Sequence, residues 1–329
     1  MLDFLKHFFS KPWAQHQRHE RPLRKSTAPR LGLALSAGGA RGLAHVGVLQ
    51  VLEENNIEIH AISGASMGAY VGALWAAGFS GEELGELAAE MHDSRQLWKL
   101  ADPIIPPIKG IFKGVKAKNH LRRSIGDLNF EDLERQLFLV TFDVNSRERI
   151  VLRTGSIANA VHASSAMPGI IAPVNINGRM CADGGVVDPV PLEVLKKYGD
   201  VDLRIAVSVV PTYEDIDSGK SIRPPPAPDK NLLKRGFKAL RSTFDLSARG
   251  NAIDTLRQSV SAAQIRIAHD AIKKADLVIH PDCRTYRWHH YSQFENIIQA
   301  GRTAAEEALP AIRELLAKPL ENHEENSSN

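Results

Sequence analysis

Several things that would assign this chain to a class at once are scarce or missing. Only two cysteines, Cys181 and Cys283, occur in 329 residues. They cannot build a disulfide framework, and neither stands in a C-x-x-C spacing. A reducing, cytoplasmic compartment is therefore the default. No cluster of His, Asp and Glu suggests a metal site, and no cofactor is expected. No apolar run approaches the ~18 residues of a transmembrane helix. The opening stretch MLDFLKHFFSKPW is interrupted by Asp3, Lys6 and His7, so it also lacks a signal peptide's unbroken core. The net charge is only +3, without the basic excess of a dedicated nucleic-acid binder. Internal repeats are absent. At 43% hydrophobic and 24% charged residues, the rest reads as an ordinary globular protein. Its length allows one large domain or two small ones.

What is present is concentrated between Arg30 and Gly78. Leu31 to Ser36 (LGLALS) reads as a buried parallel strand. A glycine-rich loop, Gly38-Gly39-Ala40-Arg41-Gly42, follows it, and Leu43 to Asn55 has helical periodicity. Ile57 to Ile62 predicts a second strand. The turn Gly64-Ala65-Ser66-Met67-Gly68 leads into a helix over Met67 to Gly78. Strand, loop, helix, strand, turn, helix is the pattern of a parallel sheet with crossover helices, an α/β fold.

Further along, helices are predicted over Gly81 to Leu100, Asn119 to Ile125, the FEDLERQ stretch, Ser156 to Ser165 and Leu192 to Lys197. Leu232 to Ala271 and Phe294 to Lys318 follow, the latter interrupted near Pro310. Strands are predicted over Leu137 to Asp143, Glu148 to Arg153, Leu203 to Val210 and Ala275 to His280. Asn177-Gly178 predicts a hairpin between Val174–Ile176 and Arg179–Ala182. The Pro- and Gly-broken segment Asp102 to Lys118 could flank an entrance.

G-x-S-x-G between a strand and a helix holds a serine in a tight turn, with its hydroxyl over the carboxyl edge of the sheet. It also sets Ser66 at a helix N-terminus, which favours developing negative charge. The alternative is a plain small-residue turn. The glycine loop can converge backbone N–H groups on an anion without Cβ interference. Phosphate binding competes, but neither G-x-x-x-x-G-K-[ST] nor G-x-G-x-x-G is present. Arg41 either pairs a carboxylate or meets an anionic group. A triad could recruit His280, His289 or His290, yet one strand ahead of the serine's strand is too few for an α/β-hydrolase elbow. His45 and His162 read as packing residues, and Asp188 and Glu193 as capping or solvated ones. Asp183, ahead of Gly184-Gly185, is by itself as readily a turn or cap as a base.

Taken in order, Gly38 to Gly42, Gly64 to Gly68, Ala163-Ser164-Ser165-Ala166-Met167-Pro168 and Asp183-Gly184-Gly185 resemble the patatin-like phospholipase family. The resemblance is to the bacterial branch similar to the neuropathy target esterase catalytic domain. It covers roughly Arg30 to Val210, with ADLVIHPD and the C-terminal helix resembling that branch too. It implies a three-layer α/β/α fold with a mostly parallel central sheet. It implies a Ser–Asp dyad without a catalytic histidine, in which Ser66 is the nucleophile and Asp183 the base. Gly38 and Gly39 would supply the oxyanion hole, with Arg41, Gly42, Gly64, Gly68, Pro168, Gly184 and Gly185 as supporting motif positions. One departure is Ala37, where the family pattern often has a third glycine.

The expected organisation is a hydrolase domain over 30–318, with a mobile Pro-rich loop at 211–230 and a disordered polar tail at 319–329. Residues 1–29 form an apolar and basic extension, read either as disordered or as a contact, through residues 1–30, with the inner membrane surface. The expected activity is hydrolysis of a lipid or acyl ester, by a phospholipase, lysophospholipase or carboxylesterase. The alternatives are a catalytically silent lipid- or partner-binding module and an acyltransferase. Apolar residues around Ile104 to Ile108 could line an acyl groove, and no nucleic-acid partner is expected.

Overall fold

The computed structural model describes residues 29–90, 102–106, 109–217 and 252–318. Residues 1–28 of the expected 1–29 extension, the end of the Gly81 to Leu100 helix, most of the 211–230 loop, the start of the Leu232 to Ala271 helix and the tail at 319–329 lie outside the described residues.

An eight-stranded sheet forms the middle layer, in the order β5-β6-β3-β2-β1-β7-β8, with β4 pairing β3 off this path. The central strands are β1 (Leu31–Leu35), β2 (Ala61–Ala65), β3 (Gln136–Asp143), β7 (Leu203–Val207) and β8 (Leu277–Ile279). They pair in parallel. At the other edge β4 (Arg149–Leu152), β5 (Val174–Ile176) and β6 (Arg179–Asp183) pair antiparallel. β1 and β2 are buried along their whole length. That explains why Leu31–Leu35 carries continuous apolar residues instead of an alternation.

Helices cover both faces. On one side, α1 (Ala44–Glu54), α2 (Met67–Ala76), α3 (Gly81–Glu90), α4 (Val115–Ile125) and α5 (Ile157–Ser164) bury their apolar sides with Leu33, Leu35 and Ile62 of the sheet. The long C-terminal helix, named below, packs on this side as well. On the other side, α6 (Leu192–Tyr198) packs over Ala34, Phe138, Val140 and Ala206. A short helix, α7 (Tyr213–Asp217), follows β7. Then α8 (Ala252–Ile272) places Ile265 and Ala268 in that second cluster, and α9 (Phe294–Ala317) closes the first. The result is the three-layer arrangement with a mostly parallel central sheet.

Four local expectations need correction. The second strand runs over Ala61–Ala65, not Ile57 to Ile62. Ile57 N–H instead bonds back to Leu52 O at 2.9 Å and closes α1, and pairing with β1 begins only at Gly32–Ala61. The FEDLERQ stretch holds just a 3-10 turn, Phe130–Asp132, closed by a capping box between Asn129 and Asp132. Gln136 already pairs with Ala61, so no room is left for a helix. α4 starts at Val115, ahead of Asn119, because the Asp102 carboxylate accepts the Gly114 and Lys116 N–H groups at 2.7 and 3.1 Å. α9 runs unbroken through Pro310, whose side is exposed, so the carbonyl that it leaves without a donor can be hydrated.

Candidate active site

The two turns flagged in the sequence meet at the carboxyl ends of β1 and β2. Ser66 follows β2 directly and is the N-cap of α2, with φ 54° and ψ −120°. That is a strained backbone for a residue with a Cβ, and such strain costs about 1–3 kcal/mol. It holds because the glycines around it let the chain approach closely. A Cβ on Gly68 would lie 2.2 Å from Leu35 O, and one on Gly64 would lie 2.6 Å from Gly68 O.

Asp183 ends β6, which joins the sheet through its pairing with β3. The Ser66 hydroxyl donates to Asp183 Oδ2 at 2.7 Å, across 117 residues of sequence. The other carboxylate oxygen, Oδ1, accepts the Gly185 N–H at 2.8 Å, and Asp183 N–H bonds to Ala166 O at 2.9 Å. Asp183 is 3% exposed. Burial pushes its pKa up to about 6, against the opposing pull of the hydrogen bonds from Ser66 and Gly185. A carboxylate held there is a far better proton acceptor near neutrality than one at its ordinary value. Gly184 has no space for a side chain, since its Cβ would lie 2.0 Å from Val140 O.

The glycine loop becomes a 3-10 turn, Gly39–Leu43, leading into α1. Its backbone donors divide clearly. Ala37 N–H bonds to Pro189 O at 2.8 Å, and Ala40 N–H bonds to Trp288 O at 2.7 Å. Between them, the N–H groups of Gly38 and Gly39 have no acceptor among the described residues. Ala37 therefore contributes no donor to the site whether or not it is a glycine. Gly39 sits at φ +57°, and a Cβ there would meet Trp288 O at 2.6 Å. Arg41, half-buried, turns its Nε back to Gly38 O at 3.4 Å. Gly42 lies against Met67, the residue after Ser66, with Met67 Cγ 2.5 Å from its Cβ position.

Two contributors had no assigned role in the sequence reading. Ser164, the last residue of α5, accepts the Ser66 N–H at 3.1 Å and donates to Val140 O at 2.6 Å. It ties the serine turn to β3. Its neighbour Ser165 donates to Ser66 O at 3.4 Å, and Pro168 follows in the loop after α5. Trp288, in the loop before α9, shapes the glycine turn from the other side. The Ala163–Pro168 motif hinted at the first, whereas nothing local pointed to the second.

The described histidines make other contacts. His45 is fully buried behind the glycine loop, donates Nε2–H to Ser36 O at 2.8 Å, and is driven down to about 4 by burial. His162 bonds to Lys113 O at 2.9 Å. His280 faces Asp215 at 3.5 Å. Among the described residues no histidine hydrogen-bonds to Ser66 or Asp183, so the triad alternative is not formed. Asp188 pairs with Arg149 at 2.5 Å and, despite that ion pair, burial lifts it to about 6. Glu193 lies 3.8 Å from both Arg204 and Lys274. Among the described residues, no group of three or more His, Cys, Asp or Glu is placed to hold a metal ion, and no helix is long and apolar enough to cross a membrane.

The family profile described as patatin-like phospholipase matches residues 33–196. An uncharacterized NTE family protein of Mycobacterium tuberculosis is 36% identical over 234 residues, which is 70% of this chain and 62% of that protein. Lysophospholipase NTE1 of Candida glabrata is 26% identical over 86% of this chain but 16% of its own length. Among solved structures, VipD from Legionella pneumophila covers 87% of this chain and 67% of its own, at 15% identity and a TM-score of 0.45. The chain thus spans less than two thirds of either curated relative. With the profile covering the glycine loop, the serine turn and the Asp-Gly-Gly turn in order, the chain belongs to the patatin-like phospholipase family, on the side of it that is similar to NTE.

Proposed function

We propose that the chain is a serine lipid acyl hydrolase working through a Ser66–Asp183 dyad. The observation that carries this reading is the 2.7 Å hydrogen bond from Ser66 Oγ to a buried Asp183, beside two backbone donors with no acceptor among the described residues. Asp183 takes the hydroxyl proton as Ser66 Oγ attacks an acyl carbonyl. The oxyanion is held by the N–H groups of Gly38 and Gly39, each donor worth about 3 kcal/mol in such sites. The N-terminus of α2 adds its partial positive charge. Collapse of the tetrahedral intermediate expels the alcohol, which takes its proton from Asp183. A water then gives a proton to Asp183 and attacks the acyl-enzyme, and Ser66 recovers its proton as the fatty acid leaves.

Lysophospholipids are the favoured substrate class, because a relative over most of this chain bears the name of a lysophospholipase. An acyltransferase would use the same acyl-enzyme and differ only in the acceptor.

The test is labelling with a fluorophosphonate probe combined with p-nitrophenyl ester hydrolysis. Labelling at Ser66, lost in Ser66→Ala together with esterase activity, is expected. A protein that neither reacts with the probe nor hydrolyses the ester would instead be a silent binding module.

A further inference from the structure

Ile105 is the most exposed of the large hydrophobic side chains described, at 89%. It stands on an arm made by residues 102–106 and 109–114. Ile104 N–H bonds to Ile111 O at 2.8 Å, Lys113 N–H bonds to Asp102 O at 3.0 Å, and Pro103 bridges Phe112. Pro103 and Pro106 are exposed beside Ile105, and Val115 is exposed at the foot of the arm. The Asp102 carboxylate joins the arm to α4 by capping its first turn.

Charge gathers on the same structure. Residues 109–125 contain Lys109, Lys113, Lys116, Lys118, Arg122 and Arg123 and no acidic residue, in a chain whose whole net charge is +3. The rest of the chain is therefore net negative. Leu121 and Ile125 bury one side of α4, while Lys116, Arg122 and Arg123 are exposed. Arg122 pairs with Asp127. Lys109, Lys113, Lys118 and Arg123 have no carboxylate partner among the described residues. Arg122, Arg123 and Asn119 also rim a hollow of about 360 Å³.

The arm leads back to the candidate site. Ile111 and Phe112 N–H groups both bond to Ile170 O, at 3.0 and 2.9 Å. Ile170 lies six residues beyond Ser164, which holds the Ser66 N–H.

We propose that this arm and α4 form a docking surface for an anionic lipid bilayer. The choice of a bilayer over another polyanion rests on the lipid-hydrolase reading. An exposed aliphatic side chain on an arm that carries cations without described carboxylate partners suits the boundary between headgroups and acyl chains. A protein partner of ordinary interface size would call for an apolar centre with aromatic anchors, and among the described residues of this surface the exposed large hydrophobic side chains are the aliphatic Ile105 and Val115. Docking here would set the serine turn toward the leaflet that supplies the substrate.

The experiment is vesicle co-sedimentation of the full chain carrying Ser66→Ala, which leaves the lipid intact. Vesicles of phosphatidylcholine with phosphatidylglycerol are compared with phosphatidylcholine alone. Binding to the anionic vesicles only, weakened by added salt, is expected. Each cation near such a surface is worth about fivefold in partitioning. Substituting Lys109, Lys113, Lys118 and Arg123 together by Gln should therefore weaken binding roughly 100-fold or more, and Ile105→Ser should weaken it about tenfold. With Ser66 intact, the fourfold variant should hydrolyse a soluble p-nitrophenyl ester at the parent rate, which shows that it is folded. Undiminished vesicle binding by that variant, or no preference for anionic vesicles, overturns the docking surface. Vesicle binding that depends on these residues, in a protein inert toward the ester and the fluorophosphonate, upholds the surface and removes the hydrolase reading alone.

Discussion

Asp183 is pulled in two directions at the scale of single residues. Its burial lifts its pKa to about 6, which suits a base and burdens the fold. Because the folded value lies above the ordinary one, the folded state disfavours the carboxylate. The penalty is absent below about pH 4, where both states are protonated, and is fully present above about pH 6. At ~1.36 kcal/mol per unit it reaches at most about 3 kcal/mol. Asp183→Asn keeps an acceptor for Gly185 N–H and discards the charge. It should abolish ester hydrolysis yet raise Tm, by an amount that grows between pH 4 and pH 7. A scanning-calorimetry series checks it, and a Tm that falls at pH 7 would contradict it. On the proposed mechanism, kcat/KM of the unaltered protein should drop about tenfold per unit below about pH 6, as Asp183 becomes protonated. Ser164→Ala removes the partner of both Ser66 N–H and Val140 O. A buried donor such as Ser66 N–H left without its acceptor costs about 1–3 kcal/mol. A lower Tm and a lower kcat are both expected, and an unchanged kcat would show that the serine turn holds its shape alone.

At the scale of elements, what matters is how closely backbone meets backbone. The glycine loop is clamped between Pro189 and Trp288, and this contact together with a positive φ makes Gly39 irreplaceable. Gly39→Ala would strain a positive φ and strike Trp288 O. A fall in kcat of about 10²-fold or more is expected, as when an oxyanion donor is lost elsewhere. The pairing of α1 with α9 is as close. A Cβ on Gly47 would lie 2.0 Å from Ile298 O, and one on Gly301 would lie 1.9 Å from Ala44 O. Gly301→Ala should therefore force the helices apart and lower Tm markedly, while a surface change such as Glu307→Ala should not.

These elements also mark where periodicity was a sufficient guide. Leu31–Leu35 and Leu137–Asp143 were legible because buried strands carry apolar runs. Ala61–Ala65 was not, because Ser63-Gly64-Ala65 looks like a turn until β1 and β3 flank it. Helical-looking FEDLERQ yielded to the pairing of Gln136 with β2.

Across the whole molecule, the family profile stops at residue 196, but the fold does not. β1 sits between β2 and β7, and the core around α1 includes Ile297, Ala305 and Ile312 of α9. A chain cut after Tyr198 would leave β1 as an open edge and expose that core. It should be insoluble or unfolded by circular dichroism, whereas residues 30–318 should fold.

The sequence alone determined the α/β class, the two turns between Arg30 and Gly78 and the types of residue that the chemistry needs, because turns and buried strands are written in local pattern. Only the tertiary structure decided that Asp183 reaches Ser66 across 117 residues, that Trp288 shapes the glycine loop, and that none of the described histidines hydrogen-bonds to Ser66 or Asp183. It also decided which backbone N–H groups of the glycine loop have no acceptor among the described residues. Those outcomes depend on strand order and on close backbone contacts between distant segments, which no local stretch of residues encodes.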